Sequence, residues 1–124
     1  MKVLNFEDNI FKHMDIVKAL NNIGITDIVH VDNAVEGLNI INKYPQPSKA
    51  FNLIITDMWF PWNKGGSERK SGDMVIMELK NMGIYTPIII CSTGRFSNEY
   101  ALGSVLYSAN VPWEEELYGL INIL

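Results

Sequence analysis

Phe51-Asn52-Leu53-Ile54-Ile55-Thr56-Asp57 is an almost unbroken apolar run that stops at an acid. Short apolar, β-branched runs without polar alternation belong to strands buried on both faces. Two similar runs flank it in the chain. Lys2–Phe6 stops at Glu7-Asp8, and Pro87–Cys91, nearly all isoleucine, stops at Ser92-Thr93. Three strands that each end in acids or hydroxyls frame the rest of the reading.

Helical patterns fill the gaps between these runs. Ile10, Met14, Val17, Leu20 and Ile23 recur at helical spacing and predict one apolar stripe facing the core, with Asn9 as cap and Gly24 as stop. Ile28–Val31 reads as a second strand. Asp32 or Asn33 then caps a second helix, with Val35, Leu38 and Ile41 inward. Pro45-Gln46-Pro47-Ser48 breaks it. Met58–Gly72 has no clear period, and Asp73–Met82 is a third helix with Met74, Met77 or Ile76, and Leu79 inward. Ser104–Tyr107 is a weaker fifth strand, and Pro112–Leu124 a last helix with Pro112 near its first turn.

Strands alternating with helices imply βαβ units, right-handed crossovers and a parallel sheet covered on both faces. The expectation is an α/β, doubly wound, five-stranded parallel sheet forming one domain over residues 1–124. Its 124 residues and 48% hydrophobic content suffice for one packed core, which excludes disorder. A net charge of −4 argues against a nucleic-acid binder. One cysteine, Cys91, excludes an internal disulfide and reads as a core residue. The first acids arrive too early for a signal peptide, and no apolar run approaches a membrane span. A soluble, cytoplasmic protein with no direct nucleic-acid or membrane contact is expected.

In doubly wound sheets, ligands sit beyond the carboxyl ends of the strands, where strand order reverses. If that order is 2-1-3-4-5, Glu7, Asp8 and Asp57 converge there beside Ser92. Three close carboxylates need a proton or a cation between them, and Mg²⁺ suits oxygen donors. The bland alternative is that these acids only form turns and caps. His13 and His30 lack the spacing of a zinc site or a triad and read as structural or solvated. Trp59 and Trp62, next to Asp57, suggest a cover over the pocket or a contact surface.

These residues, in order, resemble the receiver domain of bacterial two-component response regulators over essentially the whole chain. Glu7-Asp8 is similar to the family's acidic pair, and Asp57 to its phospho-accepting aspartate. Pro61 falls four residues later, although Phe60 stands where the family has Met. Gly72, Pro87–Ser92 and Pro112-Trp113 with Glu114–Leu117 match further positions. The resemblance implies a flavodoxin-like sheet in the order 2-1-3-4-5. It further implies that Asp57 accepts a phosphoryl group from a sensor histidine kinase or phosphotransfer protein. Mg²⁺ would be held by Asp8, Asp57, Glu7 through water, and the backbone carbonyl of Trp59. Ser92 and a strand-5 aromatic, Tyr107, would form the switch. The signal would pass to a downstream partner or a fused output domain, and a homodimer is among the assemblies implied.

Three departures stand out. The family's lysine before the proline after strand 5 is replaced by Val111, or by Asn110 or Ser108 on realignment. The Met58–Ser71 loop is longer than usual and carries Lys64, Arg69 and Lys70; the plain expectation is a flexible solvated loop, and the sharper hypothesis is that one of these bases reaches over the pocket as a substitute. Only Gly94–Gly103 joins strands 4 and 5, so helix 4 is expected to be one or two turns at most. These departures motivate an alternative, a phosphorylation-independent pseudo-receiver acting as an interaction module. A small Mg²⁺-dependent phosphohydrolase using Asp57 is the third reading, disfavoured because no second acid/base follows Asp57 closely.

Overall fold

A computed structural model describes every residue from Met1 to Leu124. The three runs quoted above become β1 (Lys2–Phe6), β3 (Leu53–Thr56) and β6 (Ile88–Ser92), joined by β2 (Asp27–Val31) and β7 (Gly103–Leu106). All pairings among them are parallel, in the order β2-β1-β3-β6-β7. This is the expected 2-1-3-4-5 arrangement, with the reversal between β1 and β3. Each central strand feeds two cores. Leu4, Phe6, Ile88 and Ile90 pack on one side, and Val3, Ile89 and Cys91 on the other. That is why these strands show no polar alternation.

Helices α1 (Ile10–Asn21) and α4 (Trp113–Ile121) cover one face, and α2 (Ala34–Asn42) and α3 (Ser71–Asn81) the other. Asn9 caps α1 by accepting from the N–H groups of Phe11 and Lys12. Asn33 caps α2 by accepting from Glu36 N–H. Gly37 on α2 sits so close to Phe6 that a Cβ would fall 2.0 Å from its ring. No helix is long and apolar enough to cross a membrane.

Four expectations need correction. In α1 the buried face is Lys12, Ile16, Ala19 and Leu20, while Ile10, Met14 and Ile23 are exposed. The stripe was read from apolar residues alone, and the helix is instead rotated to bury a lysine. In α3, Val75, Ile76 and Leu79 are buried, and Met74 and Met77 face out. The Met58–Gly72 region is not unstructured: β4 (Phe60–Pro61) and β5 (Glu68–Arg69) form a small antiparallel hairpin. Phe60 is fully buried beside Phe6, and Ser71 Oγ donates to the Phe60 carbonyl at 2.6 Å. Finally, the β6–β7 connection contains no helix at all, only bends and a turn.

Candidate functional site

β1 and β3 run in register, with Phe6 opposite Thr56, so Glu7 and Asp57 leave the sheet side by side. Asp57 N–H donates to the Phe6 carbonyl at 3.0 Å, and Glu7 N–H to that of Val31 at 2.9 Å. Ser92 closes β6 at the same edge. Together with Asp8, Asn9, Lys12, Trp59, Glu68 and Thr93 they line a cleft of about 180 Å³. Carboxylate oxygens of Glu7, Asp8 and Asp57 all lie within 4.8 Å of one another. A larger cavity of about 280 Å³ lies at the other end of β6, around Ile84, Pro87 and Tyr100, and lacks such a convergence.

The charges are unevenly placed. Glu7 is 1% exposed; burial, with Asp57 nearby, pushes it up to about 7 against the opposing pull of Lys12. Its Oε2 accepts from Asn9 N–H at 3.1 Å. Its Oε1 lies 2.8 Å from Lys12 Nζ but off the direction of a proper hydrogen bond. Asp8 is pushed up to about 6, by burial first and then by the neighbouring Glu68 carboxyl. Asp57 Oδ1 accepts from Met58 N–H at 2.7 Å and lies 3.3 Å from Lys12 Nζ. That leaves Oδ2 as the oxygen without a protein hydrogen bond.

This donor set fits a hard divalent cation. It offers three convergent carboxylates and a buried carboxylate oxygen short of hydrogen bonds, and Mg²⁺ takes oxygen ligands. Trp59 lines the same cleft.

The inserted bases go elsewhere. Lys64 lies 3.6 Å from Glu36 and Lys70 3.2 Å from Asp73, Arg69 pairs with Phe60 in the hairpin, and none lines the cleft. None of them reaches over the pocket, and the lysine that lines the cleft is Lys12. Its ammonium meets Glu7, Asp57 and, at 2.5 Å, the Cys91 carbonyl. Burial works against that charge, and Glu7 and Asp57 more than offset it, so its pKa is raised. One further residue of the cleft, Glu68, escaped the sequence reading. Glu68 arrives only because the loop folds into a hairpin. His13 and His30 stack with ring centroids 3.7 Å apart. Asn5 Nδ2 lies 3.0 Å from His13 Nδ1, and His30 Nε2 is 2.7 Å from the Glu7 carbonyl, so the pair supports β1 beneath the site. Cys91 is core as expected, its thiol pushed up to about 12 by burial. Tyr107 follows β7 directly; its hydroxyl donates to Asp15 on α1 and its ring meets Trp113 edge-on.

Solved structures of similar fold include response regulators. The chemotaxis response regulator CheY4 of Vibrio cholerae superposes with a TM-score of 0.71 at 22% identity, covering 99% of this chain and 98% of that one. A DNA-binding response regulator of the LuxR family from Staphylococcus aureus gives 0.72 at 21%, covering 98% and 96%. The fold is that of a receiver domain. The phosphorylated cyanobacterial phytochrome response regulator RcpA is similar too, with a TM-score of 0.68 at 21% identity and coverage of 98% and 89%. No family model matches the sequence, and no curated protein matches it.

Proposed function

We propose that the chain is a receiver that accepts a phosphoryl group on Asp57 in a Mg²⁺-dependent reaction and acts as a conformational switch. The observation carrying this reading is the meeting of Glu7, Asp8 and Asp57 within 4.8 Å at the strand ends, with Ser92 in the same cleft. Asp57 Oδ2 attacks phosphorus of a phosphohistidine donor on a sensor kinase or phosphotransfer protein. The O–P bond forms as the P–N bond breaks, and the electron pair stays on the imidazole nitrogen. Met58 N–H and Lys12 hold Oδ1 and so fix the carboxylate for attack. Asp8, Asp57, the Trp59 carbonyl and, through water, Glu7 would hold Mg²⁺, which would supply neutralisation of charge on the transferring group. Ser92 hydroxyl donates to the new phosphoryl oxygen and draws the β6–β7 connection toward it, with Tyr107 as the aromatic that responds. The reading is of a signalling switch rather than an enzyme with a released product. Its output is a protein partner or a fused domain.

Trp59 reports on the site directly, being 47% exposed and part of the cleft wall. Mg²⁺ is expected to change tryptophan fluorescence, and beryllium fluoride to change it again. Mass spectrometry after incubation with a small phosphodonor is expected to find one labile phosphate, lost in Asp57→Asn. Absence of any phosphate with Mg²⁺ present excludes the reading. One feature favours the interaction module as a second reading: Lys12 already neutralises part of the acidic cluster without any ion. A metal response with no phosphate uptake is its signature.

A further inference from the structure

We infer that Lys12 on α1 supplies the phosphoryl-binding cation of this site. The inference rests on Asp57 being the phosphoacceptor and assigns to a helix a role for which the chain has no lysine after its last strand.

A lysine 4% exposed is rare, because removing an ammonium from water is costly unless it is paired. Lys12 Nζ is held between Glu7 Oε1, Asp57 Oδ1 and the Cys91 carbonyl, at 2.8, 3.3 and 2.5 Å. It therefore stands at the β6 side of the acceptor carboxylate. Ser92 and Thr93, the hydroxyls of the cleft, follow Cys91 directly. The Tyr107 ring covers it, 5.6 Å from the ammonium, and the Tyr107 hydroxyl is tied back to Asp15 on the same helix. Lys12 thus reaches the end of β7 from across the sheet.

Nothing after β7 competes for this place. Ser108 Oγ accepts from Asn110 N–H, and Val111 N–H donates to the Ser108 carbonyl, so 108–111 closes on itself as a turn. Asp8, by contrast, is not among the partners of Lys12 and lines the cleft with Glu68. The acidic cluster is therefore divided: Glu7 and Asp57 share the ammonium, and Asp8 is left to other cations. A phosphoryl group on Asp57 carries nearly two negative charges in place of the carboxylate's one, so the charge facing the ammonium grows by about one, and Lys12 has donors for both it and Glu7.

Lys12→Met and Lys12→Arg in the full chain separate this role from a structural one. Wild type is expected to respond to Mg²⁺ and then to beryllium fluoride. Lys12→Met is expected to bind Mg²⁺ at least as tightly as wild type, since a competing positive charge is gone. Its affinity for beryllium fluoride is expected to fall tenfold or more, the equivalent of one charged hydrogen bond, with partial rescue in Lys12→Arg. Lys64→Ala, a control on a base outside the cleft, is expected to match wild type. Unchanged beryllium fluoride affinity in a folded Lys12→Met overturns the assignment while leaving Asp57 as acceptor. Failure of wild type itself to bind beryllium fluoride overturns both. If Lys12→Met does not fold, ¹⁵N spectra of the lysine ammonium groups in wild type decide. A shift of the Lys12 resonance on adding beryllium fluoride supports the role, and a fixed resonance refutes it.

Discussion

Glu7 is an acid held where its charge is costly. An unfolded glutamate ionises near 4.5, whereas burial, ahead of the nearby Asp57, pushes folded Glu7 to about 7. Between those values the native state binds the proton that the unfolded chain has lost, so stability falls as pH rises through the window. The cost is absent below 4.5 and complete above 7, amounting to about 3 kcal/mol. His13 acts in the opposite sense: burial and then His30 lower it from 6.5 to about 4, so its contribution falls away as pH drops. Comparing wild type with Glu7→Gln in the presence of chelator cancels the histidine. The stability of wild type relative to the variant is expected to decline from pH 4.5 to 7 in urea titrations and then level off. Parallel profiles would show that Glu7 titrates normally. The acids at the strand ends were legible because a charge that stops an apolar run is a strong signal. Lys12 was not, because a lysine on a helix is ordinarily solvated. Only its phase with Ile16, Ala19 and Leu20 marks it as inward.

Boundaries and faces of elements were less legible than their existence. All five sheet strands could be read from apolar runs, but the inward faces of α1 and α3 were misjudged. Exposed methionines and isoleucines count as core in a periodicity reading, while the packing of Ile16 and Leu20 against Val3 and Leu53 decides the actual rotation. The β4–β5 hairpin was invisible, since its two-residue strands carry no period of their own. Gly72 was legible, and its reason is now physical. It opens α3 against the end of β3, where a Cβ would lie 2.4 Å from the Asp57 carbonyl oxygen and 2.9 Å from Met58 Cα. Both are backbone atoms that cannot step aside alone. Gly72→Ala is therefore expected to cost about 1–3 kcal/mol and to displace Asp57. Chemical denaturation reads the first effect. A weaker Mg²⁺ response of Trp59 fluorescence reads the second. Wild-type values for both would mean that α3 tilts away freely.

At the scale of the molecule, the sheet is rigid and the β6–β7 connection is the soft part. Residues 93–102 form no helix or strand. Within the stretch, backbone N–H groups bond only from Ala101 to the Asn98 carbonyl, from Leu102 to the Ile88 carbonyl and from Tyr100 to Asn98 Oδ1. It is otherwise tied by side chains: Arg95 makes a paired contact to Glu116 at 2.9 and 3.1 Å, and Asn98 donates to Asp73 at 3.1 Å. Glu116 also accepts from Leu106 N–H, so one carboxylate joins the connection, β7 and α4. Segments that respond to ligands come from the low-stability end of a fold, and this one starts at Ser92-Thr93 in the cleft. A phosphoryl group on Asp57 that recruits the Ser92 hydroxyl pulls on its near end. Hydrogen exchange with and without Mg²⁺ and beryllium fluoride is expected to change most over 93–102 and at the start of α4. β2 and the 43–52 segment, beyond the other edge of the cleft, are expected to stay constant. Glu116→Ala is expected to raise exchange over 93–102 before any ligand is added and to shrink the ligand-induced change. A response confined to the hairpin and α1, with the connection unmoved, would mean that the signal leaves through Lys12 and Glu68 instead.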